Sequence, residues 1–405
     1  MFPWIHLYVS PKGDVYPCCT TDQSSQLGNV KDNSLKEIFN NDKVKQIRLN
    51  MLNEKPTDLC RTCYRLEEST SHSYRSYSKH VFGKHFDEMI AETNEDGSVN
   101  KFQMKFLDIR FSNICNFKCR TCGSECSSQW AAEDKRVKEV LGGGPSHEWI
   151  VLHADDHKGR LLEEVLSHLP NVDMVYFAGG EPLITDEHYL ILEEIIRLGK
   201  TDIKLRYNTN CSNTKYKSYD LLDLWKRFDS IELSCSVDHY GAKAEYIRHG
   251  TDWGVVESNL IKFRELSNVN FSISTVLSVF NYVTLADFYH YMKRKQLILP
   301  QDHNTYLTFT SNPMFYSATS LPKELKDLGT ERIRGLIPVL NSGNWDYQNY
   351  IAITNFLNQS IDFVYSKDTY MDNKKDFMHN TKVRDTLRNE NFVEVFPELA
   401  EMVNG

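Results

Sequence analysis

The chain has 405 residues, of which 40% are hydrophobic and 25% are charged. These fractions are typical of an ordinary globular protein, and they exclude a largely disordered chain or one built mainly of membrane-spanning segments. The formal net charge of -8 also excludes a surface that is basic overall, although it leaves room for a local basic groove.

No apolar run in the sequence approaches membrane-spanning length, and the start, MFPWIHLYVS, lacks the basic residues and long apolar middle of a secretory signal. We therefore expect a cytoplasmic protein without a membrane partner. Because the cytosol keeps thiols reduced, the ten cysteines favour metal ligands over disulfides.

The first segment, residues 1–70, predicts a small cysteine-rich α+β unit. Residues 4–9 predict a short strand, and PKGDVYP, residues 11–17, predicts a turn and a return strand. Residues 34–52 carry apolar side chains at helical spacing, with Ser34 as the expected N-cap.

Two tight pairs of cysteines lie in this segment. Cys18 and Cys19 are adjacent, and Cys60 and Cys63 form a C-x-x-C pair. Together the four thiols can supply four ligands to a metal site, and the ligand chemistry alone allows either zinc or an iron-sulfur cluster. Adjacent residues on an extended chain point to opposite faces, so Cys18 and Cys19 need a turn to share one metal.

Three polar stretches of the chain carry no motif of their own. Residues 61–85 mix basic and aromatic side chains, which suits a surface that stacks bases, although an exposed helix or linker is the simpler interpretation. Residues 91–100 are the clearest linker, and they predict an N-terminal module over residues 1–95. An insertion at residues 141–160 holds histidines and aspartates that are more simply solvated than metal-binding, namely His147, His153, Asp155, Asp156 and His157.

From residue 101 onward, predicted strands alternate with helical stretches. This order implies a parallel sheet with right-handed crossovers, and six such units would close most of a barrel. The predicted fold class is α/β, a partial (β/α)6 TIM-like barrel over residues 96–310, followed by a mainly helical region over residues 311–405. The predicted strands are residues 107–111, 174–177, 204–209, 231–236, 271–277 and 306–310.

The stretch LDIRFSNICNFKCRTC, residues 107–122, begins as a strand with one buried face and with Asp108 and Arg110 on the other face. Three cysteines follow the strand at C-x-x-x-C-x-x-C spacing. Three soft thiolates on one short loop can hold an iron-sulfur cubane and leave one iron open to another ligand. The candidate ligands are Cys115, Cys119 and Cys122.

This spacing, directly after a strand and with Phe117 between the first two cysteines, resembles the cluster loop of the radical S-adenosylmethionine (SAM) superfamily. The resemblance implies a [4Fe-4S] cluster held by Cys115, Cys119 and Cys122, whose open iron chelates the amino and carboxylate groups of SAM. It further implies reductive cleavage of SAM to a 5'-deoxyadenosyl radical that abstracts hydrogen from a substrate. The electron would come from a reductant such as flavodoxin or ferredoxin.

The N-terminal segment resembles the SPASM and twitch modules that carry auxiliary clusters in this superfamily. The resemblance rests on Gly13 before Cys18, the distant C-x-x-C pair, and the words PW, LGNV and SLKEIFN. Two features depart from it, because the module precedes the radical domain and some SPASM cysteines are missing. The resemblance therefore implies one auxiliary cluster of the twitch kind, with ligands among Cys18, Cys19, Cys60 and Cys63.

Candidate SAM-binding residues lie at the ends of three predicted strands. The turn formed by Gly179, Gly180 and Glu181 resembles the family motif that contacts the amino group of SAM. Ser236 and Asp238 suit the ribose hydroxyls. Arg248 resembles the arginine that pairs with the SAM carboxylate, and Asn208 either lines the barrel mouth or caps a helix.

The sequence thus predicts a radical SAM enzyme, and the resemblance makes a peptide or protein side chain the leading substrate class. One alternative is a radical SAM enzyme that modifies a nucleotide or nucleic acid, which the basic and aromatic run would support. The other is a non-catalytic zinc-binding scaffold, although no histidine between His85 and His147 offers a fourth ligand to the cluster loop. No residue is identified as catalytic beyond those that bind the cofactors.

Overall fold

The computed structural model describes residues 1–69, 73–141, 151–155, 159–299, 305–341 and 347–403. The chain divides into two compact units. Unit 1 comprises Met1–Ile114, Val151–Tyr207 and Asp223–Ile231, and unit 2 comprises Cys115–Ile150, Asn208–Leu222 and Glu232–Gly405.

The secondary structure of the described residues follows in chain order. The strands are β1 (His6–Val9), β2 (Asp14–Tyr16), β3 (Gly28–Asn29), β4 (Phe106–Ile109), β5 (Met174–Phe177), β6 (Lys204–Thr209), β7 (Lys215–Tyr216), β8 (Tyr219–Asp220), β9 (Ile231–Ser236), β10 (Val269–Leu277) and β11 (Thr305–Phe309). The helices are α1 (Phe2–Ile5), α2 (Leu35–Phe39), α3 (Asp42–Leu52), α4 (Arg61–Ser69), α5 (Tyr74–Phe82), α6 (Phe86–Ala91), α7 (Trp130–Leu141), α8 (Arg160–His168), α9 (Asp186–Arg197), α10 (Leu221–Trp225), α11 (Gly241–Ile247), α12 (Trp253–Arg264), α13 (Leu285–Arg294), α14 (Lys323–Asn341), α15 (Tyr347–Tyr365), α16 (Tyr370–Arg388) and α17 (Phe392–Val395).

The sheet of unit 1 has the strand order β3-β2-β1-β4-β5-β6. The first three strands pair antiparallel, whereas β1, β4, β5 and β6 run parallel to their neighbours. In the register, Leu7 lies opposite Leu107 and Val175 lies opposite Leu205. Because the carboxyl ends of parallel strands share one edge, the segments that follow β4 and β5 meet at that edge.

Unit 2 contains the neighbouring strands β9, β10 and β11, with β10 and β11 parallel. Helices α11, α12 and α13 lie between the strands in sequence, and helices α14 to α17 follow them. Mostly parallel strands that alternate with helices, followed by a helical C-terminal region, confirm the predicted fold class. None of the described helices is both long enough and apolar enough to cross a membrane.

Two predicted elements near the start of the chain are wrong in detail. Residues 2–5 form α1, with a proline at its start, so β1 begins only at His6. The helix predicted over residues 34–52 is two helices, because Asn41 accepts a hydrogen bond from the Val44 amide and caps α3 as a new helix. Ser34 caps α2 as predicted, in a capping box with Glu37.

A buried arginine joins the parts of the N-terminal segment. Arg48 of α3 is fully buried, and its guanidinium donates to three backbone carbonyls in three separate segments. The acceptors are Pro3 at 2.8 Å, Phe39 at 2.8 Å and Gly97 at 3.1 Å. A buried charge is tolerated when its donors are satisfied, so this residue fixes α1, α2 and the turn at residues 93–99 around α3.

Candidate functional site

The cluster loop, residues 115–122, lies in unit 2 and contains no helix or strand. Its backbone hydrogen bonds go to the segment after α11. The Lys118 amide donates to the His249 carbonyl at 2.9 Å, and the Arg120 amide donates to the Ile247 carbonyl at 2.8 Å. This pairing sets Arg248 beside the cysteines of the loop.

Side-chain contacts and close packing hold the loop further. Asn210 donates to the Asn116 side chain at 2.9 Å, and Asn116 donates to the Ser212 hydroxyl at 2.9 Å. Gly250 has φ +108, and a Cβ atom there would lie 2.9 Å from the Asn116 carbonyl oxygen. The loop therefore needs glycine at position 250.

Two thiols of the loop, those of Cys115 and Cys119, lie beside hydrogen-bond donors, as metal-bound thiolates commonly do. The Phe117 amide donates to the Cys115 sulfur at 3.4 Å, and Arg248 Nη1 lies 3.9 Å from the Cys119 sulfur. Burial raises the pKa of the Cys119 thiol, and the Arg248 guanidinium opposes that rise. Amide and guanidinium donors stabilise charge on sulfur, so this donor set fits an iron-sulfur cluster.

Cys122 has a different neighbour from the other two thiols. A hydrogen bond with Cys126, together with burial, raises the pKa of the Cys122 thiol. Among the described residues, no three His, Cys, Asp or Glu side chains converge as they would around a single metal ion.

Asp238 and Arg248 pair with each other in unit 2. Arg248 Nη2 donates to Asp238 Oδ1 at 3.1 Å, and Nε lies 2.8 Å from Oδ2. Asp238 is fully buried and also accepts from the Val276 amide at 2.8 Å. The aspartate therefore orients the guanidinium fork, and its carboxylate is engaged by protein donors. Ser236 and Asn208 are half-buried near the carboxyl ends of β9 and β6.

The glycine turn after β5 lies in unit 1, against the residue that precedes Cys115 in the chain. Gly179 and Gly180 both have positive φ, +86 and +55. The Glu181 amide donates to the Ile114 carbonyl at 2.8 Å. Glu181 is buried, and its carboxylate accepts from the Leu183 amide at 3.1 Å. The turn and the end of the β4 segment are thus one rigid structure.

Three of the four N-terminal cysteines share one pocket, and the fourth does not line it. Cys18, Cys60 and Cys63 line one mainly apolar pocket of unit 1. Burial raises the pKa of the Cys60 thiol to about 11, and the neighbouring Cys18 and Cys63 thiols add to the rise. Cys19 does not line this pocket; burial and the charge of Asp108 raise the pKa of its thiol to about 12.

A row of polar side chains across the unit 1 sheet was not predicted from the sequence. Asp108 and Arg110 were predicted on the less buried face of their strand, but Asp108 is 0% exposed and accepts from Arg110 Nε at 2.9 Å. The Arg110 guanidinium lies 5.4 Å from the Tyr8 ring and 5.3 Å from the Tyr176 ring. In the strand register, Tyr8 lies opposite Asp108, and Tyr176 lies opposite Arg206. The alternation of charged residues in β4 was the available signal, because a barrel strand buries both faces.

The basic and aromatic run forms helices α4 and α5, and several of its cations are paired within unit 1. Arg75 is paired with Glu67, while Lys84 and His85 both contact Asp173 at 2.7 Å. These ion pairs favour a packing role over a phosphate-binding surface.

Part of the insertion is also anchored in unit 1. Both ring nitrogens of His153 contact carboxylates, Asp155 at 3.0 Å and Glu187 at 2.9 Å. His153 forms a β-bridge with Ser112. Both contacts are hydrogen bonds only when the imidazole is protonated, and the Glu187 bond accordingly raises its pKa. His147, Asp156 and His157 lie outside the described residues.

Comparisons with known proteins assign two domains to the chain. The family model of the radical SAM superfamily matches residues 109–294, and the model of SPASM, an iron-sulfur cluster-binding domain, matches residues 1–64. The two matches identify a radical SAM domain and, before it in the chain, a SPASM domain, and they support an enzyme of the radical SAM type. A radical SAM domain implies a [4Fe-4S] cluster and SAM, and the SPASM domain supports additional iron-sulfur clusters. The zinc scaffold is left without support.

No curated protein matches the chain significantly. Among solved structures, native anSMEcpe with bound AdoMet and Cp18Cys peptide is 18% identical, with a TM-score of 0.36 and coverage of 58% of this chain and 60% of that one. SuiB of Streptococcus suis bound to precursor peptide SuiA is 13% identical, with a TM-score of 0.37 and coverage of 82% and 69%. TYW1 with a lysine-pyruvate adduct is 18% identical, with a TM-score of 0.29 and coverage of 58% and 71%. The chain spans about three fifths of the length of anSMEcpe, and the family assignment rests on the family models.

Replacing Gly180 by alanine should destabilise the protein through a direct clash. A Cβ atom at this position would lie 2.2 Å from the Ile114 carbonyl oxygen, and its φ is also unfavourable for alanine. We expect the free energy of unfolding in urea to fall by about 3 kcal/mol. Gly199→Ala is the matched control, because φ there is +67 and nothing lies near the added atom. It should cost only about 1 kcal/mol, and equal losses in the two variants would contradict the clash.

The His153 contacts predict a pH dependence of stability. Since the folded pKa is raised above the unfolded value of about 6.5, the contribution is complete below that pH and is lost as the pH rises through the folded pKa. We expect His153→Gln to flatten the decline in unfolding free energy as the pH rises above about 6.5. Urea titrations at each pH measure this slope, with exposed His80→Gln as the control. A slope unchanged by His153→Gln would refute the interpretation.

Proposed function

We propose that this enzyme binds its catalytic [4Fe-4S] cluster through Cys115, Cys119 and Cys122 and uses SAM to abstract hydrogen from a peptide or protein side chain. The observation that carries the proposal is the contact between Arg248 and the Cys119 sulfur, within the segment matched by the radical SAM model. This contact places a guanidinium that can bind a carboxylate beside a thiolate that can bind iron.

When bound together, the cluster and SAM supply one-electron reductive cleavage and an adenosyl radical. The chain's own residues bind and orient the SAM molecule. In unit 2, Arg248, held by Asp238, would receive the SAM carboxylate. The turn of residues 179–181 is proposed for the SAM amino group on its resemblance to the family motif alone. Ser236 and Asn208 are proposed to contact the ribose and the barrel mouth. The burial of Asp238 and Glu181 keeps these segments rigid.

In the N-terminal module we propose that Cys18, Cys60 and Cys63 hold the auxiliary cluster. Their shared pocket and the mutual effect of the three thiols on pKa support this set. Cys19 was predicted as a fourth ligand, but its thiol responds to Asp108 more strongly than to Cys18. We therefore propose that Cys19 faces the polar row of unit 1 and is not an iron ligand.

The peptide substrate is proposed on two grounds. Superfamily members with auxiliary clusters often modify peptides or proteins, as the sequence resemblance implies. In addition, Asp108 Oδ2 is buried and has no hydrogen-bond partner among the described residues. A buried carboxylate oxygen of this kind is suited to accept from an amide or ammonium of a substrate. A flavodoxin or ferredoxin as reductant and a cytoplasmic location remain predictions.

The cluster assignment predicts where activity is lost. Anaerobic, iron-reconstituted, dithionite-reduced protein should form 5'-deoxyadenosine from SAM, and the triple variant Cys115→Ala, Cys119→Ala, Cys122→Ala should form none. Cys235→Ala, which removes a buried thiol of β9, is the control that should keep the activity. Product from the triple variant, or a wild-type protein that fails to bind SAM, would overturn the assignment.

The proposed ligands of the auxiliary cluster predict how much iron each cysteine variant should contain. The wild-type protein should hold about eight irons per chain, and Cys60→Ala, Cys63→Ala should lose about half of them. Cys19→Ala should keep the full content. Iron and sulfide analysis, with Mössbauer spectra to identify the clusters, measures both. Half of the iron lost from Cys19→Ala would make Cys19 a ligand instead.

A further inference from the structure

Arg120 lies inside the cluster loop, one residue after Cys119 and two before Cys122, and it is 0% exposed. Its Nη2 lies 2.7 Å from Asp385 Oδ1 and 2.5 Å from Glu390 Oε2. Its guanidinium also lies over the Tyr246 ring, 3.7 Å from the centroid. A buried charge needs such partners, so the loop is tied electrostatically to the end of α16 and the turn after it.

Glu390 contacts a second segment as well. Its other oxygen, Oε1, lies 2.6 Å from His249 Nδ1. His249 follows Arg248 in the chain, and its carbonyl accepts from the Lys118 amide of the cluster loop. One carboxylate therefore touches both the loop that carries the cysteines and the segment that carries Arg248.

The position of Glu390 is itself fixed. Asn389 ends α16 in the left-handed region, with φ +53, which turns the chain back toward the helix. The Glu390 amide then donates to the Asp385 carbonyl at 2.9 Å. Asp385 accepts from the Phe392 amide and the Tyr246 hydroxyl, both at 2.7 Å. Both carboxylates are thus set before any cofactor binds.

Arg388 makes an independent connection from the same helix. It donates to both oxygens of Glu133 at 2.9 Å and to the Lys118 carbonyl at 3.1 Å. Glu133 in turn lies 2.8 Å from Lys118 Nζ. The bidentate geometry and full burial of Arg388 make this a strong anchor on the middle of the cluster loop.

We propose that Asp385, Arg388 and Glu390 form a C-terminal clamp that positions the cluster loop relative to Arg248, with Glu390 as the residue that sets their separation. The proposal rests on the proposed function, since it assumes that this loop holds the cluster and that Arg248 receives SAM. The clamp residues touch neither group directly in this arrangement; they are positioning residues that act through Arg120, Lys118 and His249.

The clamp also contributes negative charge beside the cluster. Asp385 and Glu390 both reach a residue that lies between two of its ligands. Removing one of these charges favours the more negative, reduced cluster, so it should shift the reduction potential to a more positive value. A side chain that only stabilises the fold would leave the potential unchanged once the cluster is assembled.

Glu390→Gln tests the clamp, because it keeps the size of the side chain and removes its charge. We expect about tenfold weaker SAM binding, the size of one lost charge-assisted hydrogen bond, together with a more positive potential in an EPR-monitored redox titration. Asp376→Asn changes an exposed acid on the same helix and should alter neither. Wild-type affinity and potential in Glu390→Gln would overturn the proposal.

A measurement on the metal-free protein separates this proposal from the function on which it rests. The amides of Lys118 and Arg120 donate to the Ile247–His249 segment, so their hydrogen exchange reports how firmly the loop is held. We expect faster exchange at both amides in Glu390→Gln than in Asp376→Asn at equal global stability. Unchanged exchange overturns the clamp even if the enzyme cleaves SAM, and failure of the wild type to bind iron overturns the function without changing this result.

Discussion

A loop without regular secondary structure needs hydrogen-bond partners for its backbone groups and counter-ions for its charges, and other segments must supply them. In the cluster loop, distant parts of the chain supply both. Its amides pair with the segment around Arg248, and its one fully buried charge, Arg120, reaches carboxylates near the end of the chain. The cysteines alone define ligand chemistry. The surrounding hydrogen bonds and ion pairs decide where those ligands stand.

Burial acts on both groups of cysteines. In the cluster loop, the Cys115 sulfur receives an amide and the Cys119 sulfur a guanidinium, and the guanidinium opposes the rise that burial causes in the pKa of Cys119. In the N-terminal module, burial and neighbouring thiols raise the pKa of Cys60, so its thiolate is unfavourable until a cation compensates it. Assembly of a cluster at either site would therefore displace protons from thiols whose pKa is raised, and at Cys119 the Arg248 guanidinium opposes part of that rise.

Much of the fold was predictable from the sequence because the central strands are short, apolar and bounded by clear turns. The predicted bounds of β5, β6 and β9 coincide with the structure. The N-terminal errors came from local chemistry that periodicity does not capture, a proline at α1 and the cap formed by Asn41. Partners distant in sequence were not predictable at all. Nothing in the last hundred residues pointed to Arg120, and the burial of Asp108 depends on strands from three separate segments.

The parallel pairing of β1 with β4 has a consequence for how this protein is made. His6 pairs with Phe106 and Val9 with Ile109, so the two strands are separated by a hundred residues of chain. During synthesis β1 must wait for β4 to emerge, and long-range parallel pairing of this kind forms slowly. Until then β1 lacks its parallel partner, and a chain without residues 6–9 would leave the corresponding edge of β4 unpaired. β1 therefore covers the edge of β4 that would otherwise be open to pairing with another chain.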